Sequence, residues 1–130
     1  HREITFVHNF IVAKLIIFVS ILNVWFFRVK RGTRWRGGNA GSMREEFKVY
    51  GLSETMMYMI GALKVLAALG LVLSIWLPYL AIPSSAAMGF LMIGAIWMHL
   101  KIRDPLSKSL PAFIFLLLSA FIWMEATGLI

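Results

Sequence analysis

Four long apolar blocks, separated by short polar or basic connections, set the pattern of this chain. Each block is close to the roughly 20 residues an α-helix needs to cross about 30 Å of hydrocarbon. The pattern predicts helices over about residues 4–27, 54–77, 80–101 and 109–129. None has the polar stripe that a helix of a soluble bundle turns to water. The reading is all-α, a transmembrane four-helix bundle, with residues 1–130 forming a single domain. A cleaved signal peptide does not fit the first block, because the basic cluster follows the apolar run instead of preceding it. The chain starts at His1, and residues ahead of it are expected to have been cleaved or left out.

A different period appears between the first two blocks. In "SMREEFKVYGL", Met43, Phe47 and Tyr50 fall at i, i+4 and i+7, one face of a helix. Ser42 with Glu45 three residues on is a capping-box pattern, and Gly51 is placed to end the helix. A short amphipathic helix lying at the cytoplasmic membrane surface is expected. Ser53 is expected to cap the next helix. Pro78 and Pro83 are expected to bracket a tight turn between the second and third spans. The preceding "RGTRWRGGNAG" is a glycine-rich basic turn. It lacks the spacing and the closing Lys-Ser/Thr of a phosphate loop.

Composition strengthens the membrane reading. The residues are 60% hydrophobic and the mean hydropathy is +0.81, against about 45–50% apolar in soluble domains. At 130 residues the chain is too short for a transporter with two internal repeats. There is no cysteine, which excludes disulfides, thiol redox catalysis and thiolate-held metals. His1, His8 and His99 are scattered, and no metal site is expected.

The charge of +7 is unevenly placed and orients the chain. Arg28, Lys30, Arg31, Arg34 and Arg36 form a basic patch after the first block, and Lys101, Arg103 and Lys108 follow the third. The connection "PYLAIP" carries no charge. By the positive-inside rule the basic connections face the cytoplasm and both termini lie on the outer, periplasmic side. A bacterial inner membrane is the expected setting. Basic residues beside a membrane helix are orientation determinants near anionic headgroups, so membrane lipids are expected partners and nucleic acid is not.

Polar residues inside the blocks are the candidates for chemistry. Lys64 lies about ten residues into its helix, roughly 15 Å deep, too deep to snorkel easily. An intramembrane lysine is expensive and marks a functional position by default. Gly61, Ala67 and Ala68 lie near it, so it is expected to face into the bundle. Lys14 is similarly deep, and no carboxylate is expected at that depth, with Glu54 and Glu125 near helix ends. The two lysines then face different spaces, share an anionic or polar ligand, or lose a charge. His99, near the cytoplasmic end of its helix, can exchange protons near neutral pH. Met88, Met92 and Ala95 share its face, more as packing than as a cofactor box.

Three stretches, in order, resemble the DoxX-like family of small four-helix membrane proteins. They are EEF-x-x-YGL (Glu45, Glu46, Phe47, Tyr50, Gly51, Leu52), IGALK at the start of the second span, and GA-x-x-MH-x-K-x-x-DP with Gly94, Ala95, Met98, His99, Lys101, Asp104 and Pro105. The resemblance covers about residues 34–122, and Lys14 does not map onto it. It implies a four-helix transmembrane bundle and marks Glu45, Glu46, Tyr50 and Asp104 as cytoplasmic motif residues. The family takes its name from a quinone-linked thiosulfate-oxidising enzyme of archaea, in which a DoxX-type chain is a membrane subunit. Other members are associated with membrane oxidoreductase assemblies or with assisting membrane-protein assembly.

Two functions are therefore expected. One is a non-catalytic accessory subunit or assembly factor among other membrane-protein subunits, since no self-contained catalytic constellation is visible. The other is a quinone-interacting component, with His99 relaying protons, Lys64 polarising a carbonyl, and electrons coming from a partner. The candidate cofactor is accordingly a quinone or a bound lipid.

Overall fold

A computed structural model describes residues 2–27, 37, 38 and 40–130, with side chains from residue 11 onward except that of Phe27. The described residues form five α-helices and no strand. Helix α1 spans Arg2–Leu22 and runs on into a π-helical turn, Asn23–Phe27. The short α2 spans Met43–Val49, α3 Glu54–Leu73, α4 Ala81–Lys101 and α5 Leu110–Ala126. Single 3₁₀ turns, Pro78–Leu80 and Leu106–Ser109, lead into α4 and α5.

The segments Glu54–Leu73, Pro78–Lys101 and Leu106–Ala126 are each long and apolar enough to cross a membrane. The first block contributes a shorter described apolar stretch, Ile11–Phe26. Helix α1 packs on α3, α3 on α4, α4 on α5 and α5 on α1, which closes a ring. Ile17, Leu71, Met88 and Ile122, one from each helix of the ring, are fully buried at its centre.

The polarity of this ring is the reverse of a soluble bundle. Lys14, Ser84, Ser85, His99 and Ser119 are buried, while Val19, Leu66, Phe90, Trp97 and Phe121 are exposed. Water would penalise that surface, whereas hydrocarbon accepts it. Association in lipid then depends on close packing of small residues. Gly61 lies so close to the Trp25 ring, and Gly70 to Ser84, that neither leaves room for a Cβ.

Helix ends follow local chemistry. Ser53 accepts the Met56 N–H at 3.2 Å and caps α3. Ser42 accepts the Glu45 N–H at 3.2 Å, but Glu45 returns its bond to the N–H of Gly41 at 2.6 Å, one residue ahead of the expected capping box. Pro83 does not bound the turn. It lies in the first turn of α4, where its missing N–H has no intrahelical partner to lose.

The expected membrane-surface role of α2 also needs correction. Its apolar face is turned onto protein: Met43 and Phe47 are buried with Met57, against Val24, Trp25, Leu52 and Ile60. Tyr50 is buried as well. The polar face carries Arg44, which pairs with Glu54 at 2.8 Å and reaches the Tyr58 hydroxyl at 3.2 Å. Helix α2 therefore closes one end of the bundle.

Candidate functional site

Two chain reversals place the polar groups. At the end of α2, Leu52 N–H bonds to Phe47 C=O at 2.8 Å and Gly51 N–H to Lys48 C=O at 3.0 Å, with Gly51 at φ +80°. This is a Schellman motif. At the end of α4 the same motif recurs. Asp104 N–H bonds to His99 C=O at 3.0 Å and Arg103 N–H to Leu100 C=O at 3.1 Å, with Arg103 at φ +58°. A Schellman turn brings its sixth residue back over its first, usually for an apolar contact. Here those residues are Asp104 and His99, and the contact is polar, with Nδ1 2.8 Å from Oδ2. The spacing H-x-x-x-x-D-P is thus the helix-end motif itself, and Pro105 cannot continue the helix.

Asp104 is held from further sides. The N–H of Gly38 donates to both its oxygens, at 3.1 and 3.2 Å. Lys108 lies 3.8 Å from Oδ1 and donates to the Gly38 carbonyl. The glycine pair thus serves as a strap. Gly38 takes the left-handed conformation (φ +58°), and a Cβ on Gly37 would sit 2.6 Å from the Tyr50 ring. With N–H donors on both oxygens, the carboxylate acts as acceptor, so Nδ1 of His99 carries hydrogen and Nε2 is turned to the other side.

Nε2 lies 3.4 Å from the Tyr50 hydroxyl, which in turn donates to Glu46 Oε1 at 2.9 Å. His99 and Tyr50 are 6% and 5% exposed, so these contacts are shielded from water. Edge-to-face ring contacts support the arrangement. Trp25 meets Phe47 at 6.3 Å, Phe47 meets Tyr50 at 6.1 Å, and Tyr50 meets His99 at 5.8 Å between centroids.

Glu46, Phe47, Tyr50 and His99 form part of the wall of a cavity of about 760 Å³ between the end of α1, α2, α3 and α4. Most of the wall is apolar, including Met56, Ile60, Phe90, Leu91 and Met98. Glu46, Tyr50, His99 and Lys64 supply the polar points. The Lys64 ammonium is 5.8 Å from the Trp25 ring centroid, within cation–π range. An apolar chamber with a few convergent polar groups has the composition of a small-molecule site.

The structure thus brings Lys64, His99, Glu46, Tyr50 and Asp104 together. Lys14 does not join them and is not on the cavity wall. It is buried in the ring. Glu45 is spent on the start of α2. Arg28, Lys30, Arg31, Arg34 and Arg36 lie outside the described residues. Sequence reasoning missed the roles of Lys108 and of Gly37-Gly38. The i, i+5 spacing of His99 and Asp104 before Pro105 was the available signal for the helix-end contact. Met88 and Met92 are core residues, not wall residues. Among the described residues, no three His, Asp or Glu side chains converge as a metal site would require.

No curated protein and no solved structure matches the chain. The model of the DoxX-like family matches residues 36–122, which runs from ahead of α2 into α5 and includes every residue of the Glu46–Tyr50–His99–Asp104 cluster. The chain, an integral membrane protein by its apolar helices, belongs to the DoxX-like family.

Proposed function

We propose that this protein is a quinone-interacting component of a larger membrane oxidoreductase assembly, holding a quinone headgroup in the cavity under α2. The observation that carries this reading is His99, backed by Asp104 and facing Tyr50, on the wall of an otherwise apolar chamber. A quinone headgroup is a flat apolar ring with carbonyl oxygens at its edge. Lys64, with its ammonium beside Trp25, supplies a cationic donor on the same wall. The chain supplies no electron carrier of its own in this reading, so a partner subunit delivers electrons. The protein acts in that sense as an accessory subunit. The proposal includes four membrane crossings, with α1 as the first, both termini on the periplasmic side of a bacterial inner membrane, and the basic connections in the cytoplasm.

The test is titration of a short-tailed ubiquinone analogue into the full chain in lipid nanodiscs. Loss of one buried hydrogen-bonding partner costs about 1–3 kcal/mol, roughly tenfold to a hundredfold in affinity. His99→Gln and Lys64→Met are each expected to weaken binding to that extent. Wild-type protein that shows no saturable binding, and retains only phospholipid in native mass spectra, would leave the cavity as a lipid site. The assembly-factor reading would then take its place.

A further inference from the structure

The Tyr50 hydroxyl has one hydrogen and stands between two groups that can each accept it. Glu46 Oε1 lies at 2.9 Å and His99 Nε2 at 3.4 Å. Nδ1 of His99 is committed to Asp104. If the imidazole carries only that hydrogen, Nε2 presents a lone pair to the tyrosine oxygen. The contact is then favourable only when the tyrosine donates toward His99, which in turn requires Glu46 to donate to the tyrosine. If Nε2 also carries hydrogen, it donates to the tyrosine, and the tyrosine donates to Glu46. The two arrangements hold the same number of protons and differ only in where the mobile one sits.

We propose that Tyr50 is a proton gate linking Glu46, at the partly exposed end of the cluster, to His99 in its buried part. The inference rests on the reading of the cavity as a headgroup site, since that headgroup is the proposed final acceptor. The step balances without any electron moving. The O–H bond of the Glu46 carboxyl breaks as a new O–H bond forms on Tyr50. The former Tyr50 O–H bond breaks as an N–H bond forms at His99 Nε2. A carboxylate is left on α2 and an imidazolium at the end of α4, opposite the Asp104 carboxylate. Lys108, 3.8 Å from Asp104, and Lys64, on the cavity wall, are further charges of the site. The 3.4 Å contact is long for a hydrogen bond.

The experiment uses the full chain in nanodiscs with nitrogen-15-labelled histidine, His99 being assigned by comparison with His99→Asn. The quantity read is the rate at which the Nε2 hydrogen exchanges with water. Tyr50→Phe keeps the ring and removes the oxygen. It is expected to slow exchange by about tenfold or more while leaving the Nδ1 resonance, bonded to Asp104, in place. Glu46→Gln, which alters no core packing residue, is expected to slow exchange similarly and stands in if Tyr50→Phe does not fold. Exchange at the wild-type rate, or faster, in both variants would overturn the gate, since a purely structural tyrosine would leave the rate alone or expose the ring. Quinone binding is measured on the same samples. Slowed exchange in a protein that binds no quinone supports the gate and removes only the headgroup reading.

Discussion

Arg103 takes a backbone conformation that side chains with a Cβ resist. Its φ of +58° compares with +80° for Gly51 and +79° for Gly128 at the equivalent positions of the turns after α2 and α5. The left-handed region costs a non-glycine residue about 1–2 kcal/mol. The exposed Arg103→Gly variant is therefore expected to be more stable by about 0.5–1 kcal/mol, read as a raised midpoint in detergent-induced unfolding. The cationic end of the bundle would lose one charge but not the His99–Asp104 contact. Asp104→Asn tests that contact. An amide still accepts from Nδ1, but it presents one oxygen where the carboxylate presents two, and it loses the attraction of Lys108. The ring is then free to rotate, and quinone affinity is expected to fall about tenfold. Gly61→Val would place methyl groups inside the Trp25 ring. Overpacking of this kind costs about 1–3 kcal/mol, and it would also displace the aromatic neighbour of Lys64.

Helix α2 is too short to stand alone. Isolated helices of under about 12 residues are marginal in water. It persists because Ser42 caps it, Gly51 ends it, and Met43, Phe47 and Tyr50 are buried beneath it. Gly51→Ala, at φ +80°, is expected to cost about 1 kcal/mol. Amide hydrogen exchange should show the loss over residues 43–52 while α3 to α5 stay protected, because the helix opens as a local unit. The apolar stripe and the caps of this element were legible in the sequence, since both follow from local spacing. What the stripe would cover was not, because a helical face looks alike whether lipid or Trp25 lies beneath it. His99, Lys64, Tyr50, Glu46 and Asp104 could be singled out one at a time. Their meeting depends on the glycine strap and on a helix-end turn, and neither leaves a period in the sequence.

At the scale of the molecule, many large apolar side chains point outward, while lysine, serine and histidine side chains are buried inside. The positive-inside argument then gives the orientation to be tested. The chain contains no cysteine, so single-cysteine variants can be labelled without background. Membrane-impermeant maleimide added outside intact cells is expected to reach Leu129→Cys and to miss Ser107→Cys. The reverse pattern would invert the protein.

One contact also has a consequence in time. Gly38 and Asp104 are 66 residues apart along the chain. Gly38 leaves the ribosome before α3 and α4 exist, and its partner follows only after both have been made. The chamber therefore cannot acquire its polar end while the chain is being threaded into the bilayer. It is finished when the α4–α5 corner folds back, so a chain cut short before that point would carry helices without chemistry.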